Sequence, residues 1–515
     1  MDERVIKARA LRDTLLGDRY RPRYHIVAPE GICLPFDPNG ALYWKGRYHL
    51  MYIVQTEQGH CWAHISSRDL LHWRQHPLAL EPGGVDTGVF SGGAFVDRTG
   101  VPTITYWGLG PDAGICTATS TDDELEVWTK AERPIIHQTE SGQTVLPDGT
   151  PVGAADPSAI WWHDGHYYLL TGNLLVQIEY WRKRGLAEHQ GDTLYLFRSD
   201  DLVHWEYLHP FYQSRREWTR DDEDDMCPDF YPLGDRHMLL FISHNLGCQY
   251  YIGRYADDRF HPETHGRMTW VDRAFFAPES LVDERGRRIM WAWIFEGTPR
   301  AVQEAALWAG TMSLPRVLWL GDDKTLRMAP PEELASLRYA PREGCDVAVP
   351  ADGEVVLEGV TGCDLELELE MSAADATQFG VAVCCSPNGE PEGKPESGER
   401  TLIYYDALTK HLAVDTTQSS VERDPRTPQE VSDQVGALPQ AIEAGPLALA
   451  PGESLRLRVF IDRSVVEVFA NDRQAVMRRI YPTRADSVGV RLFARGGVAQ
   501  VKTWRAWAMD ATNAW

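Results

Sequence analysis

DPNGALYWKGRYHLMY, residues 37–52, opens with an acid and a proline, runs through one strand-like stretch, makes a tight polar turn and enters a second strand rich in aromatics. Four later stretches follow the same plan: SGGAFVDRTGVPTITY from Ser91, DPSAIWWHDGHYYLLTG from Asp156, CPDFYPLGDRHMLLFIS from Cys227 and APESLVDERGRRIMWAWI from Ala277. Their starts lie 54, 65, 71 and 50 residues apart, about the roughly 40 to 50 residues of a four-stranded propeller blade plus loops. Three copies are followed by a second echo, at 66–77, 120–134 and 198–210, so each unit has later strands as well. A sandwich of ordinary hairpins seldom repeats its sequence, whereas five such units closed on themselves leave no long free sheet edge. The pattern predicts a five-bladed β-propeller, in which the first strand of every blade lines the axis, so Asp37, Ser91, Asp156 and the segment before Cys227 are expected to face one another in a funnel.

Beyond the last copy the text changes. MAPPEELASLRYAPRE, from Met328, carries a Pro-Pro break and a short helical stretch, the marks of a linker. Strict alternation then sets in, as in Asp364–Glu370 and Ser454–Phe460, the period of half-buried antiparallel strands. The chain therefore reads as all-β: an N-terminal extension over 1–22, a propeller over 23–328, a linker over 329–342 and a C-terminal β-sandwich over 343–515. The stretches 386–400 and 416–436 read as mobile polar loops.

Composition narrows the function. The 515 residues carry 75 acidic and 51 basic side chains, a net charge of -24, which repels phosphate backbones and anionic lipid surfaces. Nucleic acid and membrane are not expected as partners. No apolar run is long enough to span a bilayer, and the charged N-terminus has no secretory leader pattern, which predicts a cytoplasmic protein. Nine irregularly spaced cysteines read as reduced core residues. No nucleotide-binding or metal-binding motif is present, so no cofactor and no metal is expected.

Glycoside cleavage requires two carboxyl groups about the scissile bond, one ionised and one protonated. Asp37 and Asp156 open equivalent strands and each precedes a proline, whose ring favours an extended conformation that would hold the carboxylate toward the axis. The run Asp221–Asp225 crowds four further aspartates and Glu223 against Met226, and crowded carboxylates raise one another's pKa, as a general acid requires.

These segments resemble glycoside hydrolase family 32, the invertases, inulinases and levanases. FDPNGALYWKGRYHLMY is similar to that family's nucleophile segment, and HCWAHISSRDLLHW, VFSGGAF, ADPSAIWW, CPDFYPLGDRH, APESLVDERGRRIMWAWI and WAGTMSLPRVL follow in the family's order. FIDRSVVEVFAND in the second domain resembles its sandwich signature. The resemblance implies a carbohydrate substrate and a retaining double displacement on a furanoside, with Asp37 as nucleophile and Asp156 as transition-state stabiliser. It also places Trp62, Phe90 and Ser91 near the sugar.

The same resemblance exposes departures. Met226 stands where the family has its acid/base glutamate, and a thioether cannot protonate a leaving alkoxide. Ala155, Phe36 and Ile53 stand where the family has an arginine, an asparagine and a glutamine. Asp224, sharing a strand face with Met226, is the expected acid, with Glu223, Asp225 and Asp229 as alternatives; Met226 and Asp229 are expected to border the substrate. A β-fructofuranosidase-like hydrolase with altered substrate is thus expected. A sugar-binding homologue without catalysis, and a fructosyltransferase or arabinofuranosidase-like enzyme, are the alternatives.

Overall fold

The computed structural model describes residues 2–513 except 177–190, 221–222, 269, 272–273, 296–297, 388–397 and 422–440. The greater part of both loops expected to be mobile lies outside the described residues.

Five antiparallel sheets follow one another in chain order. Blade I runs Pro38–Trp44, Arg47–Thr56, Gly59–Ser67 and Trp73–Gln75, each strand paired with the next. Blade II is built on Ala94–Val96, Pro102–Leu109, Gly114–Thr119 and Thr129–Lys130, and blade III on Trp161–His163, His166–Thr171, Tyr195–Ser199 and Trp205–Pro210. Blade IV comprises Met226–Leu233, Arg236–Ser243, Gly247–Ala256 and Arg259–Arg267, and blade V Phe275–Val282, Arg288–Ile294, Arg316–Leu320 and Leu326–Ala329. Each quoted repeat is the first hairpin of a blade. The ring is a five-bladed propeller, as its sequence predicted.

Blade is tied to blade near the starts of the inner strands. Asn39 accepts from the Gly92 amide at 2.9 Å, the Thr105 hydroxyl donates to the Ser158 carbonyl at 2.8 Å, and the Asn173 amide donates to the Asp225 carbonyl at 3.2 Å. Ser280 donates to Asp229, and the Ala41 amide donates to Glu279 at 3.0 Å, closing blade V onto blade I. Asn39, Asp229 and Glu279 occupy the same place in the repeat, two residues past its opening residue, and each latches its blade to the next.

Backbone geometry departs from expectation at the repeat openings. Asp156 has φ 38°, Cys227 φ 49° and Ala277 φ 47°, all left-handed and all immediately before proline. The extended restraint assigned to Asp156 is therefore corrected: proline disfavours the right-handed helical region for its predecessor but leaves the left-handed one that Asp156 takes, and at the equivalent Cys227 and Ala277 the register shifts between Met226 and Asp229 and between Phe276 and Glu279 mark β-bulges that bend the strand there. Asp37 is not among the left-handed residues; in blade I the positive φ falls on Gly40, 54°, where the bulge begins.

The second domain packs two six-stranded sheets. The alternating stretches read from sequence pair with each other along Asp364–Ala373 and Leu455–Asp462. Leu365, Leu367 and Leu369 enter the core, and on the other face Glu366 is buried between Arg338 and Arg458, at 2.6 and 2.7 Å. The stretch read as a linker is itself structured: a 3-10 helix spans Glu332–Leu337, and the first sandwich strand begins at Arg338.

The domains share one apolar cluster that takes in Phe460, Phe469 and Met477 of the sandwich. Within it lies an ionic knot. His25 bonds Asp462 at 2.8 Å and Glu467 at 3.2 Å, Glu467 also pairs with Arg316 at 3.1 Å, and the amides of Arg23, Tyr24 and His25 all donate to Asp462. Burial alone would lower the His25 pKa; its bonds to Asp462 and Glu467 outweigh that and raise it to about 9. The N-terminal extension contributes a helix, Glu3–Gly17, with only Leu15 buried. No helix among the described residues is long and apolar enough to cross a membrane.

Candidate active site

The openings of blades I to IV converge as the repeat predicts. Ser91 donates to Asp37 Oδ2 at 3.3 Å, and the Cys227 thiol, itself within hydrogen-bonding reach of Ser91, donates to Asp156 Oδ2 at 3.5 Å. The two aspartates, 119 positions apart in sequence, are thus joined through two small donors. Burial raises Asp37 to about 6, against the charge of His244 and the bond from Ser91. It raises Asp156 to about 7, and the charge on Asp37 adds to the shift. Burial, then the charges of Asp156 and Asp37, holds the Cys227 thiol well above its ordinary value, so it remains a neutral donor. Asp156 Oδ1 is buried with no hydrogen-bond partner among the described residues.

The acidic run divides sharply. Asp221 and Asp222 lie outside the described residues. Glu223 is buried against the Gln249 amide at 2.6 Å and the Arg220 backbone at 2.9 Å, and Asp225 shares the Tyr212 hydroxyl with Asp192. Asp224 is also buried, with both oxygens committed to His244: Oδ1 accepts its backbone N–H at 2.9 Å and Oδ2 faces Nδ1 at 2.6 Å. Pairing explains the meeting. Met226 lies opposite Ile242, so residues two farther out on each strand, Asp224 and His244, come face to face. The motifs give no sign of His244, which occupies the turn between Arg236–Ser243 and Gly247–Ala256; only the register of blade IV reveals it.

The remaining positions sort by burial. Met226 is 1% exposed and packs in the main apolar cluster. Trp62 is fully buried, its indole donating to the Phe90 carbonyl at 3.0 Å, so it braces the wall from behind. Phe90 is half-buried, edge-on to His60 at 4.7 Å. Asp229 is engaged by Ser280 and raised by burial to about 6, against the charge of Arg288. Phe36, Ile53 and Ala155, which replace polar residues of the resembled family, are wholly buried, Phe36 packing edge-on against Tyr52 at 4.8 Å.

A five-bladed propeller with paired acids at its inner-strand openings and a sandwich behind it defines a glycoside hydrolase of the β-fructofuranosidase type. Family models agree: residues 25–330 match the glycosyl hydrolases family 32 N-terminal domain and residues 333–508 the family 32 C-terminal domain, and the chain belongs to this family. A sucrose-6-phosphate hydrolase of Zymomonas mobilis is 28% identical over 97% of this chain and 94% of its own length. A Bacillus subtilis levanase is 26% identical over 97% of this chain and 72% of its own. Among solved structures, fructan 1-exohydrolase IIa from Cichorium intybus superposes with a TM-score of 0.77 at 22% identity, covering 96% of this chain and 98% of that one.

Proposed function

We propose that the protein hydrolyses a β-D-fructofuranoside with retention, Asp37 attacking the anomeric carbon and Asp156 steadying the charged sugar. The observation that carries this is the Asp37–Ser91–Cys227–Asp156 chain that joins the openings of blades I to IV. Ser91 orients the nucleophile. The unpartnered Oδ1 of Asp156 suits a sugar hydroxyl as donor, because a buried acceptor left unpaired costs about 1 to 3 kcal/mol that a bound sugar would relieve. The similarity to a sucrose-6-phosphate hydrolase and a levanase makes sucrose, its 6-phosphate and short fructans the first compounds to try. The apolar Phe36, Ile53 and Ala155 imply a pocket that grips its sugar with fewer polar groups than its relatives.

The test is turnover of these compounds and of 4-nitrophenyl β-D-fructofuranoside by the wild type and Asp37→Asn, with the product anomer read by NMR. Retained configuration in the wild type and no turnover in the variant are expected. Sugar binding without turnover by either protein would instead establish a binding homologue, the reading that the buried thioether of Met226 favours.

A further inference from the structure

We propose that His244 is the group that protonates the leaving oxygen, with Asp224 as its positioning residue, an assignment that rests on Asp37 being the nucleophile. Geometry selects it from the candidates. Met226, Glu223, Asp225 and Asp229 are all buried and, apart from the thioether, already hydrogen-bonded elsewhere in the protein, whereas the His244 side chain is 31% exposed. Its Nδ1 is committed to Asp224 at 2.6 Å, and Nε2 has no hydrogen-bond partner among the described residues. The turn that carries it lies at the end of blade IV where the inner strand begins, level with Asp224, which stands three residues before Cys227, whose thiol touches Asp156. On its other side the ring meets Phe276, at the opening of blade V, at 6.0 Å.

The charged groups that face this imidazole are Asp224, from the extension of the neighbouring strand, and Asp156 and Asp37 from blades III and I. Burial works against its cationic form, but these three carboxylates together hold its pKa above the usual 6.5. Reciprocally, its charge lowers both Asp37 and Asp156. A carboxylate fixing one nitrogen while the other exchanges a proton is a general device for histidine acid–base chemistry.

The cycle balances. As Asp37 bonds to the anomeric carbon and the glycosidic C–O bond breaks, Nε2–H passes its proton to the departing oxygen, leaving neutral His244 and a fructosyl ester. Water then attacks the anomeric carbon, giving its proton to Nε2 as the ester bond to Asp37 breaks. Fructose, the Asp37 carboxylate and the His244 cation are regenerated. Met226 is tolerated because the proton source has moved across the hairpin, from the strand opening to the turn.

The test compares His244→Gln, Asp224→Asn and Asp37→Asn on sucrose and on 4-nitrophenyl β-D-fructofuranoside, whose leaving group departs without a proton. His244→Gln is expected to lower kcat on sucrose by about 10² to 10⁴, to lose far less on the aryl substrate, and to abolish the alkaline limb of the pH profile. Asp224→Asn should keep that limb and move it to lower pH. Equal losses on both substrates, or an unchanged alkaline limb in His244→Gln, overturn the assignment while leaving Asp37 standing. Turnover surviving in Asp37→Asn overturns both. If His244→Gln fails to fold, NMR titration of the imidazole decides: its pKa should fall in Asp37→Asn, and an unmoved value sinks the proposal.

Discussion

Residue 156 carries a cost to the fold that its proposed task explains. An aspartate whose folded pKa is about 7 against an ordinary 3.8 binds its proton more tightly in the native state, so it subtracts stability as pH rises from 4 through 7. Asp156→Asn should therefore melt at a higher temperature than the wild type at pH 8, with the gap closing below pH 4, while hydrolysis is lost. Calorimetry at the two pH values checks it. With Asp37 ionising near 6 and Asp156 near 7, and both needed as carboxylates, kcat/KM should climb between pH 6 and 7, which a pH–rate profile would read. The convergence of Asp37, Ser91 and Asp156 was legible in the sequence because each opens a repeat. His244 was not. Its partner is 20 positions away, and nothing in the turn Ser243–Gly247 signals a function until the register of two strands is known.

At the scale of the element, the repeats announced the blades, since the alternation, the polar turn and the aromatic return strand are all local. The bulges were hidden, because a bulge answers to the sheet beside it rather than to its own residues. Tight seams between blades were equally invisible. Gly93 is an example: a Cβ there would meet the Ala159 backbone at 2.5 and 2.8 Å, leaving no flexible atom to yield. Gly93→Ala should part blades II and III locally and cost about 1 to 3 kcal/mol, read as a lowered denaturant midpoint. In the sandwich, alternation correctly put Leu365, Leu367 and Leu369 inside, but it could not show that Glu366 would be as deeply covered as they are. That required two arginines from other strands.

For the whole molecule, the change of text near residue 328 revealed two domains, yet not how they hold together. His25, Arg316, Asp462 and Glu467 are scattered over more than 400 positions and meet only after both domains form. Because the folded pKa of His25, about 9, exceeds its ordinary 6.5, its stabilisation is complete below pH 6.5 and is lost as pH rises through 9. His25→Gln should cost about 3 to 5 kcal/mol near pH 6, as expected when a buried pair loses one partner. The difference should vanish above pH 9, which urea unfolding at both pH values would measure.

The knot between the domains also governs how this chain can be cut or recombined. A fragment ending near residue 330 would keep His25 and Arg316 but lose both counter-ions, baring two cations beside the apolar surface that Phe460 and Phe469 cover. Such a fragment should be insoluble even with every blade intact. A chimera with a foreign sandwich should survive only if the graft brings an aspartate and a glutamate to the places of Asp462 and Glu467, so the signature in the second domain works as a docking code for the first.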